Sequence, residues 1–512
     1  MAIGSKRPEG VSRSVSLADL ARNESAVELI GDPATEVRGI TYDSRVVRPG
    51  DLFVALRGGY YDGHDFVSQA IERGAAAILV EDDWPYPVAR LRARDTREAL
   101  AAVAATYFGR PADHLRVIGV TGTDGKTTTT SLIDDILRAA GHITGTVGTV
   151  SVRIAGEVIE HETRQTTPES LDVQAYLRRM VDAAVDSAIL EATSHGLDLH
   201  RLDEISFSIG AVTNITHEHL EHHKTIEAYR RAKSILFERV AATGGAAIIN
   251  VDDAGSREML LYTDGARVLT YSMSDDSADI VASAIESGVN GSRFVVSHCG
   301  ESVSCTLPFV GGFNVANALC AIGVAVACDV TLDAVAKALA DATTVPGRMA
   351  RVGAGQPFSV IVDYAHTPES LSKVLSLLRE LNPKGRLIAV SGSAGERDVE
   401  KRPRQGAVSQ HLADVSVFTT EDPRFEDADS IISEVAAGAK AAGGIEGETY
   451  HRITDRRDAI RFALSRASTG DTVLLAGKGH ERSIIWGHDK WPWDEAAVVR
   501  ELLIEMGFSE DR

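Results

Sequence analysis

The sequence predicts an α/β protein whose domains are built on largely parallel sheets. Its 512 residues exceed what one hydrophobic core usually holds, so we expect about three domains. From residue 116 onward, short and almost continuously apolar segments alternate with helical ones, which is typical of a parallel sheet covered on both faces. Proline and glycine interrupt this pattern near residues 110–115 and 343–353. We therefore predict domains at 1–112, 113–346 and 347–512.

Composition and charge narrow the class of protein. A hydrophobic content of 44% and a charged content of 25% fit an ordinary globular protein. No run of about 18 apolar residues occurs, and the N-terminal segment MAIGSKRPEGVSRS lacks the apolar centre of a secretory signal. We therefore expect no membrane insertion and a cytoplasmic location. The net charge of −20 argues against a nucleic-acid partner, because a phosphate backbone demands a basic surface.

The individual elements follow from their apolar patterns. In the first domain, DLFVAL and AAAILVED are predicted strands, and FVSQAIERG is a predicted helix that ends on glycine. In the second, the strand RVIGV precedes the helix KTTTTSLIDDILRAAG, and the further strands are SAILEA, IGAVTNI and AAIINVD. The third domain has the strands FSVIVDY, RLIAVSG, DVSVFTT and DTVLLAG, a pattern that resembles a dinucleotide-binding fold. In such sheets, ligands gather at the carboxyl ends of the strands.

A glycine-rich segment, TGTDGKTTTT, lies between the strand RVIGV and its following helix. Such a turn places backbone N–H groups around phosphate oxygens, while Lys126 would reach the β- and γ-phosphates and Thr127 would ligate Mg²⁺. The spacing G-x-x-G-K-T is shorter than the usual GxxxxGK[ST], and the alternative is an ordinary glycine turn. The strand–loop–helix setting predicts a nucleoside triphosphate site formed by Gly122, Thr123, Asp124, Gly125, Lys126, Thr127 and Thr128.

An acid and a group of histidines follow the next two strands of this domain. Glu191 ends the strand SAILEA, where a carboxylate can complete an Mg²⁺ shell beside the phosphate loop; the alternative is an acid in solvent. The segment THEHLEHH contains four histidines, but HExxH spacing fails because Glu221 stands four residues after His217. We therefore favour one histidine that supports Mg²⁺, with the others at the surface, over a zinc site.

Ten short segments carry a resemblance to a known family. In chain order they are GTDGKTTTT, EATSHGLDLHR, TNITHEHLEHH, YRRAKSILF, GGFNVANALCA, PGRM, VDYAHTPESL, GERDVEKRP, EDPR and AGKGHE. Together they resemble the Mur ligases, and more narrowly the MurE type, the UDP-N-acetylmuramoyl-L-alanyl-D-glutamate:diamino-acid ligases that make UDP-N-acetylmuramyl tripeptide. The resemblance covers nearly the whole chain from about residue 38. It implies an enzyme of peptidoglycan biosynthesis.

The resemblance implies a fold and a reaction. The expected fold is the three-domain Mur ligase architecture: a small N-terminal α/β domain for the UDP-substrate, a central P-loop ATPase-like domain with a parallel sheet, and a C-terminal Rossmann-like domain. The D-glutamyl γ-carboxylate would attack ATP to give an acyl phosphate, which the amine of the incoming amino acid then opens. Two anions must meet in this reaction, so lysine and metal ions are needed. We expect a monomer.

Family motifs also imply roles for single residues. The catalytic residues would be Lys126, Glu191, His219 and Lys233. Two Mg²⁺ ions would be held by Thr127, Glu191, His219 and Lys233, the last through a carbamate derived from CO₂. Asn314, Arg348 and Asp363 would complete the ATP site from the second and third domains. The UDP-substrate would contact Ser44, Gln165, Thr166, Thr167, Thr193 and Arg201.

Three positions depart from the family pattern. Asp124 stands where asparagine is usual in the phosphate loop, Gln165 replaces a common asparagine, and Leu199 occupies a position where glutamine often contacts substrate. These departures weaken single contacts more than they weaken the assignment to the class.

The segment FTTEDPRFEDAD would select the incoming amino acid. In the MurE type this strand exit forms the amino-acid pocket, here Arg397, Glu421, Asp422, Pro423, Arg424, Gly477 and Glu481. Enzymes that use meso-diaminopimelate typically have Asp-Asn-Pro-Arg, whereas this chain has Glu-Asp-Pro-Arg. Asp422 would repel a distal carboxylate and attract an ammonium, which favours L-lysine or L-ornithine over meso-diaminopimelate. Arg424 is the counter-argument, and the alternative for Asp422 is a side chain in solvent.

Two other functions stay open at this stage. One is another amide ligase of the same superfamily, such as a folylpolyglutamate synthetase, which shares the phosphate loop and DYAHTP. The other is a catalytically silent nucleotide-binding relative. The joint presence of Lys126, Glu191, His219 and Lys233 argues against a silent relative.

Overall fold

The computed structural model describes residues 13–22, 27–58, 61–159, 165–216, 220–288, 291–343 and 345–509. The chain forms two compact units. The first runs to Ile285 and includes Arg293–Thr306 and Phe313–Ala342, and the second is made of Glu286–Ser292, Leu307–Gly312 and Thr343–Arg512. The division of the chain into three domains at 112 and 346 stays a prediction.

The N-terminal part of the first unit has a five-stranded sheet in the order β2-β7-β6-β5-β4, in which only β2 is antiparallel to its neighbour. The predicted strands and the predicted helix are confirmed as β5, β6 and α2. Leu171 and Ala175 of helix α5 (Ser170–Asp182) belong to the same core as this sheet, which explains why both parts form one unit. The elements are β1 (Val15–Ser16), α1 (Leu17–Ala21), β2 (Val27–Ile30), β3 (Glu36–Val37), β4 (Gly39–Thr41), β5 (Asp51–Val54), α2 (Val67–Glu72), β6 (Ala77–Val80), β7 (Ala89–Ala93) and α3 (Thr96–Phe108).

An 11-stranded sheet follows, in the order β11-β10-β9-β12-β8-β13-β14-β15-β16-β17-β18. The strands from β9 to β16 in this order are parallel, and β10 and β11 add an antiparallel edge. The elements are β8 (Arg116–Thr121), α4 (Lys126–Ala139), β9 (Thr144–Val147), β10 (Val152–Ile154), β11 (Glu157–Ile159), α5 (Ser170–Asp182), β12 (Ser187–Glu191), α6 (Ser194–Asp198), β13 (Phe207–Val212), α7 (Leu220–His223), α8 (Ile226–Ala242), β14 (Ala246–Asn250), α9 (Ala254–Arg257), β15 (Arg267–Ser272), β16 (Ile280–Gly288), β17 (Gly291–His298), β18 (Glu301–Leu307), α10 (Gly312–Ala327) and α11 (Leu332–Ala340). The predicted strands and the helix of this region are confirmed as β8, β12, β13, β14 and α4.

The second unit has a six-stranded sheet in the order β19-β20-β24-β21-β22-β23, parallel except for β19. The four predicted strands are confirmed as β20, β21, β22 and β24. The elements are β19 (Ala350–Val352), β20 (Ser359–Asp363), α12 (Pro368–Leu381), β21 (Leu387–Ser391), α13 (Lys401–Leu412), β22 (Val415–Phe418), α14 (Ala428–Ala441), β23 (Tyr450–Arg452), α15 (Arg456–Arg466), β24 (Thr472–Ala476), the antiparallel hairpin β25 (Ser483–Trp486) and β26 (Asp489–Pro492), and α16 (Glu495–Glu505).

Candidate active site

The phosphate loop joins β8 to α4 at the carboxyl edge of the large sheet. Gly122 and Gly125 have φ angles of 147° and 87°, and Gly125 is the N-cap of α4. A Cβ atom on Gly125 would lie 2.2 Å from Oδ1 of Asn317. The Asn317 amide in turn donates to Oδ1 of Asn314 at 3.2 Å. Asn314 is thus tied to the loop through its neighbour on α10, within the first unit.

Lys126 folds over its own loop. Its Nζ donates to the carbonyl oxygens of Gly122 and Thr123, each at 2.8 Å. Asp124 is fixed through its backbone, because its N–H donates to Oδ1 of Asn214 at 3.0 Å. Thr127 and Thr128 lie in the first turn of α4 and are buried. The loop therefore brings an ammonium group to the start of a helix, a setting suited to phosphate.

The Glu191 carboxylate lies beside this loop because β12 is the parallel neighbour of β8, with Glu191 opposite Val120. It is buried and accepts three hydrogen bonds: from Thr127 Oγ1 at 3.1 Å, from the Thr149 N–H at 2.9 Å, and from Thr149 Oγ1 at 2.8 Å. The alternative of an acid in solvent is therefore wrong. A carboxylate with hydroxyl groups around it offers the hard oxygen ligands that Mg²⁺ prefers, so Thr127 and Glu191 fit the expected ion.

Lys233 reaches the same loop from α8. It is 1% exposed, and its Nζ donates to the Gly122 carbonyl oxygen at 2.8 Å and lies 4.6 Å from the centre of the Tyr229 ring. The structure thus brings Lys126, Thr127, Glu191 and Lys233 together around one turn of the chain. His217 and His219 lie outside the described residues.

We expected the other histidines of THEHLEHH at the surface, and this expectation is wrong for His223. His223 is buried on α7, whereas His222 is half-buried and bonds through Nε2 to Oδ2 of Asp198 at 2.8 Å. One potential ligand atom from each of Asp198, His222 and His223 lies within 4.8 Å of the others. The surface expectation for His223 failed because α7 packs against α8, and the His223 ring contacts the Tyr229 ring.

Most residues expected at the substrate form a hydrogen-bonded group next to Glu191. Thr167 Oγ1 donates to the Glu191 carbonyl oxygen at 2.7 Å and lies 2.8 Å from Thr193 Oγ1. Thr166 Oγ1 lies 3.0 Å from Thr149 Oγ1, and Arg201 donates to the Thr167 carbonyl oxygen at 3.0 Å. Gln165 is exposed at the edge of this group.

A second network connects the N-terminal sheet to the loop that carries Thr167. Arg97 and Arg201 both bond to Glu169, at 2.8 and 2.9 Å. The Tyr42 hydroxyl donates to Oδ2 of Asp172 at 2.8 Å. Ser44, two residues after Tyr42, is buried and donates to Gln69 Oε1 at 2.6 Å. Sequence reasoning assigned no role to Arg97 or Glu169.

In the second unit, the residues expected at the nucleotide lie at the end of β20. The buried Asp363 carboxylate accepts from the N–H groups of Met349 at 2.7 Å and Ala365 at 2.8 Å. It thereby fixes the chain next to Arg348, whose guanidinium lies 4.7 Å from the centre of the Tyr364 ring.

The predicted amino-acid corner follows β22, and it contains a pair that sequence reasoning missed. Asp422 is 4% exposed, so the alternative of a side chain in solvent is wrong. Its Oδ1 accepts from Lys478 Nζ at 2.9 Å and from the Ile485 N–H at 2.9 Å. Lys478 also donates to Oε2 of Glu481. The partner lies 56 residues away along the chain, so no local pattern could have indicated it.

The other corner residues differ in burial. Glu421 is buried, and a Cβ atom on Gly477 would lie 3.0 Å from its Oε2, so these two residues are in contact. Arg424 is half-buried with a φ angle of 55°; its N–H donates to the Ile485 carbonyl oxygen at 3.0 Å. Pro423 is buried, whereas Arg397 is exposed.

Comparison with known proteins covers most of the chain. Three family models match in order: the catalytic domain of the Mur ligase family at 36–108, the Mur ligase middle domain at 120–325, and the Mur ligase glutamate ligase domain at 347–479. The UDP-N-acetylmuramyl-tripeptide synthetase of Roseiflexus sp. (strain RS-1) is 47% identical over 491 residues, which are 92% of this chain and 96% of that protein. The chain belongs to the Mur ligase family.

Further similar proteins support the assignment to this family. The UDP-N-acetylmuramoyl-L-alanyl-D-glutamate–2,6-diaminopimelate ligase of Bacillus licheniformis is 40% identical and covers 93% of this chain and 96% of its own length. A solved structure of a ligase with the same name has a TM-score of 0.67 at 29% identity and covers 97% of this chain and 100% of its own. Folylpolyglutamate synthase from Mycobacterium tuberculosis shares the fold, with a TM-score of 0.61 at 21% identity over 75% of this chain and 92% of its own.

Mur ligases are ATP-dependent enzymes that form amide bonds. This chain is accordingly an ATP-dependent ligase of peptidoglycan biosynthesis, of the MurE type, with the three-part Mur ligase fold. Within the described part of this Mur ligase, no helix has the length and apolar character needed to cross a membrane.

The Mur ligase phosphate loop should be sensitive to a methyl group at Gly125. In Gly125→Ala, the new Cβ atom would clash with the Asn317 side chain. In addition, the positive φ angle costs about 1–2 kcal/mol for residues other than glycine. We expect the Kd for an ATP analogue to rise roughly tenfold or more. Gly141→Ala is the matched control, because its φ angle of 93° is similar but nothing lies within 4 Å. Equal Kd values for the two variants, measured by calorimetry, would contradict the assigned role of the loop.

The stability of this Mur ligase should depend on pH through Asp172. Burial, reinforced by the nearby Glu169 and opposed by the Tyr42 hydrogen bond, raises the pKa of Asp172 from 3.8 to about 7. The folded state therefore holds this proton more tightly than the unfolded state, and its relative stability falls as pH rises from about 4 to 7. Asp172→Asn removes this penalty while keeping an acceptor for Tyr42. We expect this variant to raise the Tm more at pH 8 than at pH 5. At pH 8 its free energy of unfolding should exceed that of the unmodified protein by about 2–4 kcal/mol.

The control for this measurement is Asp182→Asn, at the exposed end of the same helix. It should shift the Tm by a small amount that is similar at both pH values. A constant difference between Asp172→Asn and the unmodified protein at pH 5 and pH 8 would show that Asp172 does not titrate in this range.

Proposed function

We propose that the protein adds a diamino acid, the third residue of the peptide, to UDP-N-acetylmuramoyl-L-alanyl-D-glutamate. The D-glutamyl γ-carboxylate attacks the γ-phosphorus of ATP, and the bond to the β,γ-bridging oxygen breaks to release ADP. The amine of the diamino acid then attacks the acyl phosphate, and inorganic phosphate leaves with formation of the amide. The supporting observation is the full-length similarity to a named tripeptide synthetase, together with the group of Lys126, Thr127, Glu191 and Lys233 around one phosphate loop.

The residues of the site reduce the electrostatic repulsion between two anions, the D-glutamyl γ-carboxylate and the γ-phosphate of ATP. Lys126 supplies positive charge beside the loop N–H groups, and Asp124 and Gly125 hold the turn in shape. Thr127 and Glu191 would hold Mg²⁺, which would neutralise the charge of phosphate oxygens in the transition state. Thr166, Thr167, Thr193 and Arg201 then bind and orient the substrate beside Glu191.

Lys233 would carry the carbamate of the second metal site. Lys233 is buried, and its Nζ lies 2.8 Å from the Gly122 carbonyl oxygen. Both facts support this role, because a carbamate formed there would place two oxygen ligands next to the phosphate loop. His219 and Ser44 complete the proposal as a metal ligand and as a contact of the uridine end, and Asn314, Arg348 and Asp363 as contacts of ATP.

We favour L-lysine or L-ornithine as the diamino acid. The corner after β22 contains the acids Glu421, Asp422 and Glu481, so an ammonium is better matched there than a second carboxylate. The second candidate is meso-diaminopimelate. It is favoured by the retained Arg424 and by relatives of 37–40% identity whose names specify 2,6-diaminopimelate.

The decisive experiment measures phosphate release that depends on the UDP-muramoyl dipeptide. With L-lysine, L-ornithine and meso-diaminopimelate offered in parallel, we expect kcat/KM for one of the two basic amino acids to exceed that for meso-diaminopimelate by roughly tenfold or more. The opposite order would refute the basic substrate and leave the MurE reaction intact. Activity only with a folate and glutamate would identify the rival ligase, and no turnover at all would identify the silent relative.

The carbamate can be tested by removing its amine. Lys233→Ala should lower kcat roughly 100-fold or more, because a charged ligand is lost from the transition state. Millimolar short carboxylic acids should partly restore turnover by standing in for the carbamate. Lys337→Ala, at an exposed position of α11, is the control and should keep full activity. Near-normal turnover of Lys233→Ala would exclude the carbamate role.

A further inference from the structure

Two segments at one edge of the six-stranded sheet, 394–397 and 422–426, carry the arginines of the proposed amino-acid pocket. Arg397 follows β21 and Arg424 follows β22, and these strands are parallel neighbours, so both segments begin at the same sheet edge. Glu396 and Arg424 have φ angles of 53° and 55°. Residues other than glycine rarely adopt this conformation, and it persists only where the surrounding structure holds it. The two segments therefore need contacts that fix their backbones.

The two segments are in direct contact through their backbones. The Gly395 N–H donates to the Asp422 carbonyl oxygen at 2.9 Å. A Cβ atom on Gly395 would lie 2.0 Å from the Pro423 carbonyl oxygen, so only glycine allows this close approach. The Glu396 N–H donates to Oε1 of Glu426. The position of one segment thus depends on the position of the other.

A buried arginine on α13 holds both segments. Arg402 is 1% exposed, and its guanidinium forms a paired contact with Glu426: Nη1 donates to Oε2 at 2.9 Å and Nη2 to Oε1 at 3.0 Å. Nη2 also donates to the Ala394 carbonyl oxygen at 3.3 Å, and Nη1 to Oε2 of Glu434 on α14 at 2.9 Å. A planar guanidinium gives such a paired contact a fixed geometry. One side chain therefore contacts the first segment at Ala394 and the second at Glu426.

The two acids bound to Arg402 are similar in their surroundings. Their side chains are 35% exposed at Glu426 and 44% exposed at Glu434, and each accepts from Nη1 at 2.9 Å. The hydrogen bonds from Arg402 and from the Glu396 N–H outweigh burial and lower the pKa of Glu426 from its ordinary value of 4.5. Only Glu426 belongs to a segment of the pocket, so Glu434 offers a matched comparison.

We propose that Arg402 and Glu426 are positioning residues for the incoming amino acid. This inference rests on the proposed function. Arg402 keeps the two segments at a fixed separation, so that Arg397 and Arg424 meet one ligand without first being ordered by it. Arg402 itself is buried and acts only through the two segments. Since L-lysine, L-ornithine and meso-diaminopimelate all have an α-carboxylate, the inference holds for each of them.

The pair can be tested with matched alanine variants of the two acids. Glu426→Ala releases a pocket segment from Arg402, whereas Glu434→Ala releases only α14. Both should lower the Tm by similar small amounts, because each removes one half-exposed partner of the same guanidinium. In assays of phosphate release with each of the three amino acids, we expect Glu426→Ala to raise the amino-acid KM roughly tenfold and to keep kcat and the KM for ATP within about twofold. Glu434→Ala should leave all these values unchanged.

Arg402 is tested with its own variants. Arg402→Met keeps a side chain of similar length without the guanidinium, and it should raise the amino-acid KM at least as much as Glu426→Ala does. Arg404→Met is the control on the same helix: Arg404 is 63% exposed and bonds to Glu369, so its loss should not change this KM. Because Arg402 and Glu426 act through one contact, the double variant Arg402→Met, Glu426→Ala should have an amino-acid KM close to that of Arg402→Met alone.

Each outcome decides the inference. Three results would overturn the positioning role and leave the proposed function standing: an equal change of the amino-acid KM in Glu426→Ala and Glu434→Ala, a KM for ATP that rises by the same factor as the amino-acid KM, or additive effects in the double variant. If Arg402→Met does not fold, the comparison of the two glutamate variants decides alone. An unmodified protein that forms no tripeptide with any of the three amino acids overturns the proposed function, and this inference with it.

Discussion

The buried carboxylate of Glu191 is the constraint on which the first unit's site depends. A charge without partners in this position would cost several kcal/mol, so its oxygen atoms must be satisfied by the chain. Thr127 at the start of α4 and Thr149 after β9 supply the donors, and the carbonyl oxygen of the same residue accepts from Thr167. Three separate loops are thereby fixed to the end of one strand, and any change at Glu191 would loosen all of them.

In the second unit, buried carboxylates at strand exits also fix neighbouring segments of the chain. Asp363 at the end of β20 holds the backbone at Met349 and Ala365, and Asp422 after β22 holds Ile485 of the hairpin. In each case a carboxylate at a strand exit accepts backbone N–H groups from residues outside its own strand. Parallel strands end at one edge of the sheet, so these acids gather where a ligand would bind.

Local signals were enough to predict the parallel strands and the phosphate loop, but not the features that depend on distant partners. Strands such as β8 are almost continuously apolar and buried, and Lys126 and Thr127 directly follow the glycine turn. The antiparallel β10 and β11 escaped prediction because they are only three residues long, and their pairing is decided by the neighbouring strand. His223 was expected at the surface because its burial depends on the Tyr229 ring, which the histidine pattern does not contain.

The missed pair of Lys478 and Asp422 changes how an acid in a specificity motif should be interpreted. Asp422 alone predicts that an ammonium of the substrate will sit against it, but the structure already supplies an ammonium from Lys478, which belongs to another strand exit. Repulsion of a distal carboxylate therefore cannot be assigned to Asp422 as an isolated charge. What a substrate meets depends on Asp422, Lys478 and Glu481 together, because the two carboxylates share one lysine. The preference for a basic amino acid therefore stays a proposal, and the charge of the pocket has to be assigned to these three side chains together and not to Asp422 alone.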